Sequence, residues 1–201
     1  MPTPKIVITR QQLVDKHLQN IERLIRKPIR ETNGKNRSPD IDSWNKRCGV
    51  PKGAPYCASS QTCEYEDTCK ELGLEVPPDF LTASSQRIVW GAPKKYVRAP
   101  GELILAGDLC ALQNNGDPAH GHAFIAREDQ KPRTKEIRTY EFNTDPISGD
   151  RDGDGGYAMT RSTVDGSRLN AGKKFRAAVD YPQWIIDYNV ELGIIARGEA
   201  A

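Results

Sequence analysis

No apolar run in this chain approaches the ~20 residues that a membrane-crossing helix needs. The opening stretch, MPTPKIVITRQQLVDKHLQ, offers only Ile6, Val7 and Ile8 as a run, far short of a signal-peptide core. The expectation is a protein made in the cytoplasm without a signal peptide and with no membrane partner. An excess of one charge is missing too. Lys and Arg number 29 against 27 Asp and Glu, leaving +2, so no basic surplus marks a nucleic-acid partner. Close cysteine pairs are also lacking: Cys48, Cys57, Cys63, Cys69 and Cys110 stand six or more residues apart with no Cys-x-x-Cys. That spacing argues against zinc, and an odd count in a chain of this length suits a reducing compartment better than a disulfide framework.

Internal repeats and low-complexity tracts are absent, as is any alternation of strand and helix. The 201 residues suffice for one well-filled core, so one domain over 1–201 is expected. Within it an N-terminal helix covers about 9–27, the core about 29–181 and a C-terminal tail 182–201.

Leu13, Val14, Leu18, Ile21, Leu24 and Ile25 recur at three and four, which predicts a helix capped by Thr9 and ended near Pro28. After the turn-rich segment 31–40, with its Asn33-Gly34, Ser38-Pro39 opens a short helix through Trp44. Ala58, Thr62, Tyr65, Cys69 and Leu72 fall on one face of a third helix, which starts at Cys57 and meets a left-handed cap at Gly73. A mixed segment, helical around Phe80 to Trp90, leads into GAPKKYVRAPGE, read as an exposed loop whose Lys94, Lys95 and Arg98 form a solvated face. The second half reads as strands: GDLCALQ, HAFIARE, IRTYEFN, GYAMTR and KFRAAVDY are short, rich in β-branched or aromatic residues, and parted by turn residues. Helices first and strands later predict an α+β fold, N-terminal helices packed on an antiparallel sheet. The tail, from Tyr181 on, has apolar residues enough for a last helix, although Ile185, Ile186, Ile194 and Ile195 would equally serve a subunit contact, and the oligomeric state stays open.

In GAPYCASS, Gly53–Ser60, Cys57 opens a helix, where free N–H groups and the dipole favour a thiolate. Pro55 sets the approach of the chain, and Ala58, Ser59 and Ser60 leave room beside the sulfur. The plain alternative is that Cys57 is a small buried apolar residue. A base for such a thiol needs a rigid mount. Of the three histidines, His17 lies in the first helix, whereas His120 and His122 sit in DPAHGHAFIARE. His122, directly before Ala123, Phe124, Ile125 and Ala126, is the better anchored; His120 lies in the turn and is the fallback. Glu141 and Asn143, two apart on the next strand and so on one face, supply a group to fix the imidazole tautomer. Taken alone, they read equally as polar residues on an exposed strand face.

Together these segments resemble the CHAP domain, the cysteine, histidine-dependent amidohydrolase/peptidase of phage endolysins and bacterial cell-wall hydrolases. RETNGKNRSPDIDSWNKRCGVPKGAPYCASS is similar to its entry segment and nucleophile helix, GHAFIA to its histidine strand, YEFNTD to its glutamate–asparagine strand, and SGDRDGDGGYAMTR to its glycine-rich acidic turn. The likeness covers about Ile29 to Arg161. It implies a papain-like arrangement with Cys57 as nucleophile, His122 as base and then acid, and Glu141 with Asn143 orienting and polarising the imidazole. It further implies peptidoglycan as substrate, no cofactor, and action at the bacterial cell wall, as in a phage lysin. Alternatives are a weakly active or inactive module of the same fold, which the polar stretch SSQTCEYEDTC after Cys57 favours, or a cytosolic thiol amidohydrolase or toxin.

Asp150, Asp152 and Asp154 in DRDGDG suggest calcium, but the twelfth position counted from Asp150 is Arg161, where an EF-hand needs a bidentate Glu. A plain acidic turn is expected instead.

Overall fold

The structure, a computed structural model, describes residues 6–27, 29–32, 35–99, 101–144 and 155–197. The calcium candidates Asp150, Asp152 and Asp154, together with Pro28 and the Asn33-Gly34 turn, lie outside the described residues. The fold is α+β: N-terminal helices pack on a five-stranded antiparallel sheet, and a helix closes the chain.

Helix α1 spans Arg10–Arg26 and begins with a capping box, in which Thr9 and Gln12 each bond the other's backbone N–H. Its inner face buries Leu13, Val14 and Ile21 completely, each worth roughly 1.5–3 kcal/mol. Helix α2, Pro39–Arg47, is capped by Ser38 and runs three residues beyond Trp44, the end expected from the sequence. Helix α3, Cys57–Leu72, ends at Gly73 in the left-handed conformation (φ 68°), as the glycine predicts. The 80–90 segment is helical only over Arg87–Trp90, α4, because the Thr82 and Ser84 hydroxyls take the backbone N–H groups of Ser84 and Arg87 in local turns instead.

The strands are β1 Leu109–Asn114, β2 Asp117–Ala126, β3 Glu136–Thr144, β4 Gly155–Ser162 and β5 Lys174–Val179. They lie in the order β4-β3-β2-β1-β5, so β2 is the central strand. Strand β2 starts five residues before His122, which places His120 in the strand rather than in a preceding turn.

Ala123 and Ile125 join Leu13 of α1, Ala58 and Tyr65 of α3, and Ile185 in the main core. Phe124 and Ala126 point the other way, into a smaller cluster with Ile104, Leu112 and Ile137. Period-two alternation therefore gives the sheet two buried faces.

One expectation about this loop changes. Lys94 and Lys95 are exposed as expected, but Arg98 is not solvated: it binds Asp108 and Asp180 at 2.7–3.0 Å beside the buried Tyr96. The tail forms α5, Tyr181–Glu191, and buries Tyr181, Ile185 and Ile195 in the chain's own core.

Candidate functional site

Cys57 is the first residue of α3, and no side chain caps that helix start. The loop that delivers it is pinned from α2. Asn45 donates Nδ2 to Ala54 O at 2.8 Å and accepts from Ser59 Oγ at 2.7 Å, tying the approach of the chain to the helix it enters. The polar stretch after Cys57 is buried rather than solvated. Ser59, Ser60, Gln61 and Thr62 are all inaccessible, and their groups bond inward: Ser60 Oγ to Cys57 O, Thr62 Oγ1 to Ala58 O and Thr82 O, Gln61 Nε2 to Tyr140 O. Small hydroxyls let other elements approach α3 closely while leaving few unmet polar groups.

His122 is buried on β2. Its Nε2 meets Glu141 Oε2 at 2.8 Å, and the Cys57 thiol lies close enough to raise its pKa. With Nε2 taken, the nitrogen left to face the sulfur is Nδ1, which has no hydrogen-bond partner among the described residues. The residue before it must be glycine. A Cβ at Gly121 would lie 1.9 Å from Leu112 O and 2.4 Å from Gln86 Nε2, which itself bonds that carbonyl.

Glu141 faces Phe124 across the β2–β3 ladder and is fully buried. Each of its oxygens is doubly held. Oε1 accepts from Thr139 Oγ1 at 2.6 Å and Arg161 Nε at 2.8 Å; Oε2 accepts from Arg161 Nη2 at 2.6 Å besides His122. Arg161, also buried, donates Nη1 to Leu169 O at 2.8 Å. Burial alone would raise the Glu141 pKa, but the His122 bond and the Arg161 charge override it and hold the carboxyl down at about 2. Burial alone would likewise lower the His122 pKa; the Cys57 thiol and the bond to Glu141 outweigh it and carry it above 6.5. Both shifts favour a charged imidazolium beside an ionised Glu141.

Asn143 does not join this chain of bonds. It is fully buried, and among the described residues neither of its amide atoms has a hydrogen-bond partner. Its φ is 57°, and the β3–β4 register slips between Phe142 and Thr144, so a bulge interrupts the alternation that would carry it onto Glu141's face. The imidazole is bonded to Glu141 through Nε2, and its other charge-sensitive neighbour is the Cys57 thiol. His120 is exposed and pairs through Nδ1 with Asp117 Oδ2 at 2.7 Å.

A groove of about 500 Å³ opens over Cys57. Its walls are small, with Ala54, Pro55, Ala83, Ser84, Ser85 and Gly121; its cationic groups are Arg87 and, when protonated, His120. Arg87 is half exposed and only loosely paired, 3.6 Å from Asp79. A second cavity of about 360 Å³, by Ile104, Phe175 and Ala178, touches none of the candidate residues.

Sequence reasoning missed Arg161 as a site residue, along with Asn45 and Gln86. The β3–β4 register sets Arg161 opposite Ile137, on the same alternating face as Thr139 and Glu141. A lone arginine in GYAMTR, beside a strand bearing a buried glutamate, was the available signal. Among the described residues no group of three or more His, Cys, Asp or Glu is placed to hold a metal ion, and no helix is long and apolar enough to cross a membrane.

In comparisons with known proteins, no family model and no curated protein matches the chain.

Proposed function

We propose that this protein is a cysteine-dependent peptidoglycan hydrolase, an amidase or endopeptidase of the CHAP type, which it resembles in its segments around Cys57, His122 and Glu141. The observation that carries the reading is one buried line of side chains running from Arg161 to the Cys57 thiol. Arg161 fixes Glu141, Glu141 fixes His122 through Nε2 at 2.8 Å, and His122 meets the Cys57 thiol at an uncapped helix start beside an open groove.

In the proposed reaction His122 Nδ1 takes the Cys57 proton, and the thiolate attacks the carbonyl carbon of a wall amide. Backbone N–H groups at the start of α3 stabilise the oxyanion. The imidazolium, held in orientation by Glu141, then gives its Nδ1 proton to the leaving amine as the C–N bond breaks. Water, deprotonated by the same imidazole, attacks the thioester; Cys57 leaves and recovers its proton. The orienting role falls to Glu141. Asn143, which the resemblance pairs with it, has no bond to the ring through which to act.

The small walls of the groove suit a peptide of small residues, and Arg87 suits a nearby carboxylate. The polar α3 gives no support to an inactive module, because its hydroxyls are packed and bonded. The test is release of soluble fragments from purified peptidoglycan of several chemotypes, with products identified by mass spectrometry. Release by the wild type and none by Cys57→Ala is expected. Equal release by both, or none by a folded wild type from any chemotype, would overturn the proposal.

A further inference from the structure

Behind the nucleophile two thiols face each other. Cys48, the C-cap residue of α2, and Cys63, six residues along α3 from Cys57, have their sulfurs 3.8 Å apart. All five cysteines are free thiols here, but these two differ in access. Cys63 is fully buried, whereas Cys48 is half-buried and lines the same groove as Cys57. A reagent in that groove reaches the Cys48 sulfur first.

From this geometry we propose that Cys48 and Cys63 are a reversible disulfide site, oxidised by a low-molecular-weight disulfide of the glutathione type that enters the groove. Closing the bond brings the sulfurs from 3.8 Å to about 2.05 Å. The ring so formed, residues 48–63, contains Cys57, so the bond would clamp α2 to α3 around the segment that presents the nucleophile.

The order of attack follows from the surroundings. The hydrogen bond from Cys63 lowers the Cys48 pKa, while that same bond and burial push Cys63 up. Cys48 therefore loses its proton to solvent and attacks one sulfur of the glutathione disulfide, expelling one glutathione. Cys63 then attacks the Cys48 sulfur of the mixed disulfide and expels the second. Two protein thiols lose two electrons and two protons, and one glutathione disulfide becomes two glutathiones. A wall hydrolase works outside the reducing cytosol, where such a bond persists, but the proposal does not rest on that activity.

The test is incubation of the full chain with oxidised glutathione at neutral pH, followed by non-reducing peptide mapping and thermal unfolding. The expected product is a peptide pair cross-linked between Cys48 and Cys63, with Cys57 still open to iodoacetamide. Unfolding should shift upward by roughly 5–10 °C, as expected for a 15-residue loop, and return with dithiothreitol. Cys57→Ala should form the same bridge, and Cys48→Ser, altered at a half-buried position, should form none and show no shift. Glutathione remaining on Cys48, a bridge from Cys48 to Cys57, or two unreacted thiols would each overturn the proposal.

Discussion

Two buried networks of arginine and carboxylate hold this molecule, and they differ in what they leave over. At one end of the sheet Arg10 and Arg98 bind Asp108 and Asp180 at 2.7–3.0 Å, joining the start of α1, the segment before β1 and the cap of α5. Two cations meet two anions, and the network is closed. In the other, Arg161 and Glu141 pair at 2.6 Å, but Glu141 also binds His122, whose second nitrogen is turned to a thiol beside a groove. The first network has the form of a latch. The second has a proton-carrying group at its end, and that surplus distinguishes a site from a brace.

The largest effect that separates the two is on activity. Cys57→Ser should reduce wall hydrolysis by on the order of 10⁴-fold or more with the urea midpoint unchanged, measured as fragment release beside equilibrium unfolding. His122→Ala should cost activity as much and also lower the urea midpoint, because it empties a buried site bonded to Glu141. Next come the carboxylates. Glu141→Gln should lower turnover by on the order of 100-fold or more and also destabilise, since Arg161 is left buried without its counter-charge, at a cost of about 3 kcal/mol. Asp108→Asn should cost a similar stability, because its side chain is inaccessible between two arginines, yet leave turnover of the folded protein within about threefold. Loss of activity in Asp108→Asn below its unfolding transition would erase the distinction between the networks.

The pH dependence sharpens the contrast. The Glu141 pKa is held down to about 2 from its ordinary 4.5, so its stabilisation is full above pH 4.5 and is lost as the pH falls towards 2. His122 is raised above 6.5, so its share is full below 6.5 and is lost as the pH rises through its folded value. Asp108 shifts the opposite way from Glu141, because burial outweighs its bond to Arg98. The loss of stability between pH 4.5 and 2, followed by urea midpoints, should therefore shrink in Glu141→Gln and persist in Asp108→Asn. The smallest effect expected is at the rim: His120→Ala, exposed and paired only with Asp117, should change kcat/KM by less than about fivefold. A larger loss than in His122→Ala would show that the base is His120.

Much of the fold was legible because its signals are local. Thr9 and Ser38 are caps, Gly73 is a left-handed stop, and the apolar stripe of α1 and the five strand segments follow simple periods. Cys57 and His122 were legible for the same reason, as the first residue of a helix and a residue near the start of an apolar stretch. The polar α3 was not, since periodicity reads hydroxyls as exposed, whereas this helix is enclosed and its hydroxyls are spent on carbonyls. The placement of Asn143 is not legible in the sequence, because period two assumes an unbroken strand and a bulge sits at that residue. Arg161 depends on the β3–β4 register, which no local pattern sets.

The most direct test of the central claim is the rate of Cys57 alkylation by iodoacetamide against pH, in the wild type and in Glu141→Gln. The account predicts that Cys57 reacts fastest of the five thiols, with a midpoint well below the ~8.5 of a free cysteine, and that the midpoint moves up in Glu141→Gln. A Cys57 that reacts no faster than Cys48, with the same midpoint in both proteins, would contradict it.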